Sequence, residues 1–160
     1  MCIRDRLNSK YKETLDKGIV FIFQINDLSG IKMCDEDIVV ILSNLLNNAM
    51  KHNESGTHIK IGMYRKNGYI YILVADSGRR IPGELAEHLF EPFTKGDVSR
   101  KSGSGSGLGL SIAKKIIEMH GFQMDFIQQP DEKKIPQIAG YTKEFVIQIA
   151  DDSYDSSLTA

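Results

Sequence analysis

Apolar positions recur along the 160-residue chain in two rhythms, one near 3.6 residues and one of two, and the switch between them marks its elements. Leu7, Tyr11 and Leu15 keep helical spacing in a Lys- and Glu-rich stretch that stops at Gly18, a residue suited to the left-handed close of a helix. Residues 1–17 therefore read as the end of an upstream helix or a linker, with no assignable pattern in 1–6. Residues 18–25 are a strand-like run of branched and aromatic side chains, followed by a turn at 27–30. Asp35, Glu36 and Asp37 offer a cap and first-turn acids for a helix to about His52, with Ile38, Ile41, Leu42, Leu45 and Ala49 on its apolar side.

Ile59, Ile61 and Met63 then alternate with polar residues, Asn67-Gly68 follows, and 69–75 is a second apolar run, which together predict a β-hairpin ending at Asp76. Pro82 suits the start of a short helix over 83–90, and Pro92 stops it. Between Thr94 and Gly107 only Val98 is a sizeable apolar residue, a composition that reads as a mobile loop. A helix over 110–120 turns Ile112, Ala113, Ile116 and Ile117 inward and stops at Gly121. Phe122, Met124 and Phe126, then Phe145, Ile147 and Ile149, alternate as two closing strands before an acidic, Ser-rich tail over 151–160. Hairpins interleaved with helices argue against a doubly wound parallel sheet. They predict a two-layer α/β sandwich, with helices on one face of a mixed, largely antiparallel sheet.

Composition narrows the function classes. With 41% hydrophobic and 26% charged residues the chain is an ordinary folded domain, neither disordered nor rod-like. Lys and Arg total 20 against 21 Asp and Glu, so no global field attracts nucleic acid or an anionic membrane, and any phosphate binding is local. The longest apolar run, 18–23, is too short to cross a bilayer and no signal peptide precedes it, which reads as a cytoplasmic location without direct membrane insertion. Cys2 and Cys34 alone make neither a disulfide framework nor a cysteine zinc site.

Three constellations can carry chemistry. Asn44, Asn48 and Lys51 line one helix face with His52 beside it; amide oxygens suit a hard cation and a Lys suits phosphate, although a solvated face accounts for the spacing equally well. Asp76 ends an apolar strand before Ser77-Gly78, where its carboxylate can accept from an exocyclic amine; taken alone, Asp-x-Gly is more often a turn. Residues 102–109 read Ser-Gly-Ser-Gly-Ser-Gly-Leu-Gly and feed directly into an amphipathic helix, where free backbone N–H groups and the helix dipole favour an anion. No Walker Lys or preceding strand accompanies these glycines.

In order, the Asn-bearing helix, the Asp-x-Gly hairpin end, Phe90-Glu91-Pro92-Phe93, the polar loop and the Gly-Leu-Gly-Leu helix start resemble the ATP-binding catalytic domain of sensor histidine kinases. That domain has the Bergerat-type fold shared with gyrase, Hsp90-type chaperones and MutL-type repair proteins. The resemblance covers about residues 18–150 and implies ATP and Mg²⁺ as ligands. It implies that Asn48 coordinates the metal, that Asn44, Asn48 and Lys51 serve catalysis at the phosphates, and that His52 lies near the nucleotide. It likewise implies that Asp76 and Gly78 read adenine, with Ile81 alongside. Phe90, Phe93, Thr94 and Lys95 would stand at the base of a lid, and Gly105, Ser106, Gly107, Leu108, Gly109 and Leu110 would close on the triphosphate.

By the same resemblance the γ-phosphate passes to a histidine on a separate dimerisation domain, and onward to a response regulator. The isolated domain would be monomeric and inactive without its acceptor, and could be the cytoplasmic part of a membrane-anchored sensor. Hydrolysing members of the superfamily resemble one another in carrying a Glu base one turn before the metal-binding Asn; here that position is Asn44, which takes up no proton. None of His52, His58, His88 and His120 resembles a phosphoacceptor. Arg80 stands where the first glycine box usually has a second glycine, which leaves a nucleotide-dependent regulatory module, akin to anti-sigma-factor kinases or degenerate kinases, as the alternative reading.

Overall fold

The computed structural model describes residues 3–11, 18–25, 28–94, 107–128 and 140–154. Its elements, in chain order, are α1 (Ile3–Tyr11), β1 (Val20–Gln24), α2 (Asp35–His52), β2 (His58–Lys66), β3 (Tyr69–Asp76), α3 (Gly83–Glu87), α4 (Gly109–Met119), β4 (Gln123–Gln128) and β5 (Lys143–Ala150). The strands form one sheet in the order β1-β2-β3-β5-β4, with β1 parallel to β2 and every other pair antiparallel. This is the mixed, largely antiparallel sheet that the alternating patterns predict.

The hairpin between β2 and β3 turns on Asn67 and Gly68, both at positive φ (53° and 78°), the backbone that matches the twist of a two-residue connection. Its register sets Ile59 and Ile61 of β2 opposite Asp76 and Val74 of β3, so the inward residues of both strands share one face. Against that face pack the buried Ile38, Ile41, Leu42, Leu45, Leu46 and Ala49 of α2 and Leu110, Ala113 and Ile117 of α4. Truncating a fully buried leucine such as Leu42 or Leu45 costs about 2–5 kcal/mol, so this layer dominates stability. A smaller cluster of Leu73 and Ala75, with Tyr64 and Tyr141, occupies the opposite face.

Several local expectations change. The N-cap of α2 is Cys34, which makes no side-chain capping bond, and the three acids fall inside the first turn, where the helix dipole favours them. Ile112 faces outward at 44% exposure, because burial on α4 follows positions 110, 113 and 117 and leaves 112 on the other side of the helix. The helix after Pro82 ends at Glu87, short of residue 90. In α1, Ile3, Leu7 and Tyr11 are buried at four-residue spacing, and the Tyr11 hydroxyl donates to the Ser43 carbonyl at 3.3 Å. The third residue thus already joins the core. The loop expected over 94–107, the residues at 12–17 and the last six residues lie largely or wholly outside the described residues. No described helix is long and apolar enough to cross a membrane.

Candidate functional site

Helix α2 carries the amide face. Its apolar side is held by the core, which leaves Asn44 and Asn48 half-buried, with Lys51 and His52 in the exposed last turn. Partial desolvation, then the Lys51 and Lys143 ammonium groups, hold the His52 imidazole below its ordinary value, against a smaller upward pull from Asp76.

Asn44 meets the start of α4. A Cβ on Gly109 would lie 3.1 Å from Asn44 Oδ1, so the glycine lets the helix N-terminus approach the amide closely. Leu108 and Gly109 are half-buried there and Leu110 is buried. Phe93 and Gly107 are joined by a hydrogen bond from the Phe93 N–H to the Gly107 carbonyl at 2.9 Å. Phe93 itself is 70% exposed, while Phe90 packs edge-on against Phe145 and lies under the Lys114 ammonium at 4.4 Å. Thr94 is half-buried beside Phe93, whereas Lys95, Gly105 and Ser106 lie outside the described residues.

Asp76 sits at the floor, 5% exposed, at the last position of β3. Its Oδ1 accepts the Gly78 N–H at 2.9 Å and the Lys143 ammonium at 2.5 Å. Lys143, 4% exposed, also donates to the Arg79 carbonyl at 2.6 Å and to Asn53 Oδ1 at 3.4 Å. Thr142 donates its hydroxyl to the Gly78 carbonyl at 2.6 Å, so the turn after Asp76 is tied to β5 from two residues. The Ile81 amide is paired in both directions with Gln128, at 2.8 and 2.9 Å. Arg80 is exposed and Arg79 pairs with Glu54 at 2.8 Å, so neither guanidinium fills the floor. Beside the turn opens a cavity of about 260 Å³ lined by His52, Asn53, Thr57, Ser77, Gly78 and Arg79, among others; Asn44, Asn48 and Gly109 do not line it.

Among the described residues Asn44 thus meets the start of α4 at Gly109, while His52 and Gly78 line the cavity beside the Asp76 turn. Lys143, Thr142, Asn53 and Gln128 are added by the fold. The one sequence signal for Lys143 is a Lys-Glu pair running directly into the alternating β5 pattern, too polar to be read as strand. Among the described residues no group of three or more His, Cys, Asp or Glu converges as a metal site.

Residues 34–152 match the family model described as histidine kinase-, DNA gyrase B-, and HSP90-like ATPase. Sensor histidine kinase YvrG of Bacillus subtilis is 40% identical over 80 residues, covering 50% of this chain and 14% of that protein. Signal transduction histidine-protein kinase AfsQ2 of Streptomyces coelicolor is 39% identical over 92 residues, covering 58% of this chain and 17% of its own length. The chain therefore spans less than a fifth of either relative. Among solved structures, the nucleotide-free catalytic domain of histidine kinase ThkA superposes with a TM-score of 0.72 at 26% identity, over 93% of this chain and 90% of that one.

Proposed function

The chain belongs to the histidine kinase-, DNA gyrase B- and HSP90-like ATPase family, among the catalytic domains of sensor histidine kinases, and on that premise we propose that residues 18–150 bind Mg-ATP and pass the γ-phosphate to a histidine on a separate dimerisation domain. The observation that carries this reading is the Asp76 carboxylate. It is buried at the end of β3, its Oδ1 is engaged, and no described group donates to Oδ2. An oxygen left open on a largely buried carboxylate is placed to accept from a ligand, and an adenine amino group is such a donor.

The rest of the site fits a nucleotide. Asn44 and the N-terminus of α4 face one another across Gly109, which gives the phosphate end both amide groups and helix-terminal N–H donors. Asn48 would hold Mg²⁺ through its amide oxygen, the remaining ligands being phosphate and water oxygens. Bound there, the cation neutralises phosphate charge. Lys51, exposed one turn further on, would meet the same phosphates as a point charge. His52, held toward its neutral form, adds little cationic charge of its own.

No carboxylate stands at Asn44 to deprotonate water, which favours positioning ATP for transfer over hydrolysis. In the complete protein the acceptor histidine belongs to a dimerisation domain and the phosphoryl group moves on to a response regulator, in the cytoplasm. The exposed position of Arg80 argues against the regulatory-module alternative, because the side chain at the unusual glycine-box position leaves the floor open.

Calorimetric titration of the chain with ATP, with and without Mg²⁺, tests the reading. Saturable binding is expected, weakened about tenfold or more in Asp76→Asn, with the Mg²⁺ effect lost in Asn48→Ala. A folded chain that binds no ATP at millimolar concentration overturns it.

A further inference from the structure

Lys143 stands directly opposite Asp76 in the β3–β5 ladder, and both side chains are buried. An ammonium has three N–H donors, and Lys143 directs them to Asp76 Oδ1 at 2.5 Å, the Arg79 carbonyl at 2.6 Å and Asn53 Oδ1 at 3.4 Å. Asp76 Oδ1 also takes the Gly78 N–H. One carboxylate oxygen is therefore doubly engaged from within the fold. The other meets no donor among the described residues.

We propose that Lys143 is a specificity-determining residue that selects the purine base by leaving Asp76 a single open oxygen. The inference rests on the ATP reading of the site and deepens it. A carboxylate with both oxygens free offers two acceptors side by side, which matches the adjacent N1–H and 2-amino donors of guanine. With Oδ1 occupied, Asp76 no longer offers two acceptors side by side, and the next atom along the base edge meets the field of the buried ammonium. Adenine suits that arrangement: its 6-amino group supplies the donor, and the neighbouring N1 presents a lone pair to positive charge. Guanine does not, because a second N–H would be aimed at an occupied oxygen beside a cation. Selection against the wrong base thus comes from a repulsive element as well as an attractive one. Loss of a paired buried polar group is also the kind of difference that discriminates ligands most strongly.

Calorimetric titration of the chain with ATP and with GTP, in the wild type and in Lys143→Met and Lys143→Gln, reads this out. The wild type is expected to favour ATP. Lys143→Met is expected to narrow the ATP-to-GTP affinity ratio by about tenfold or more, because Oδ1, left with the Gly78 N–H alone, regains a lone pair for guanine. Lys143→Gln, which keeps an N–H donor for Oδ1, should retain most of the ratio. Thermal unfolding establishes that each variant is folded, and Lys143→Thr replaces the Met variant if that one is not. An unchanged ratio in the folded Met or Thr variant, or an equal loss for both nucleotides, overturns the proposal, as does wild-type protein that binds GTP as tightly as ATP. A folded wild type that binds neither nucleotide overturns the ATP reading itself, which separates the two failures.

Discussion

The Phe93 N–H and the Gly107 carbonyl, 2.9 Å apart, tie together the two ends of the polar segment that precedes α4. Gly107 adopts φ +73°, and a Cβ there would come within 2.9 Å of the Phe93 carbonyl carbon. Gly107→Ala therefore combines an unfavourable backbone conformation with a collision against main chain. A loss of about 1–3 kcal/mol in urea unfolding is expected, together with weaker ATP binding by calorimetry.

The turn after Asp76 offers a second test. A Cβ on Gly78 would lie 1.7 Å from Asn53 Oδ1, so Gly78→Ala must displace the Asn53 side chain, which donates to the Ala49 carbonyl at 2.8 Å. The single variant should be destabilised, and Asn53→Ala in the same chain should recover part of the loss. A coupling of about 0.5–3 kcal/mol in a double-mutant cycle is expected; strict additivity would mean that the two side chains do not compete for that space.

Glu144 gives the domain a pH-dependent stability. It is 1% exposed, neither carboxylate oxygen has a hydrogen-bond partner, and burial pushes its pKa up to about 7 from an ordinary 4.5. The folded state therefore binds a proton more tightly than the unfolded state. This group's contribution is complete below the unfolded value and falls as pH rises between the two values, by about 3 kcal/mol in all. Urea unfolding between pH 4.5 and 8 should show this slope in the wild type and lose it in Glu144→Gln.

The link between α2 and α4 has the opposite sign. His120 Nε2 lies 2.8 Å from Asp37 Oδ2, and the hydrogen bond to His120, then one to Cys34, holds the Asp37 carboxyl below its ordinary 3.8. The stabilisation is present above that ordinary value and disappears as pH falls through the lower folded one. His120→Ala should lower the melting temperature in the neutral region and leave it nearly unchanged at the acid end, so that the acid limb of the profile flattens.

Much of the fold is legible because it is local. Helix α2, the Asn67-Gly68 hairpin and the core face of β5 follow from spacing within one element, and so does the alignment of Asn44 and Asn48. The Asp76 floor is different. Asp-x-Gly alone reads as a turn, and only the long-range register between β3 and β5 brings Lys143 to its carboxylate. Charged residues at 143 and 144 argue locally against a strand, yet one is neutralised by a buried partner and burial pushes the other's pKa up to about 7, so that it keeps its proton well above the usual carboxylate range. Ile112 shows the converse limit, since an apolar residue on an amphipathic helix need not lie on its buried side.

The sheet order has a consequence for synthesis. β3 lies between β2, its immediate predecessor in the hairpin, and β5, the last of the described strands in chain order, and the Lys143–Asp76 pair spans 67 residues. Until β5 has left the ribosome, β3 exposes one unpaired edge and Asp76 has no counter-charge. Such an edge invites pairing with other chains. A nascent chain is thus prone to association along that edge until β5 docks, so the Asp76–Lys143 pair forms in one late step.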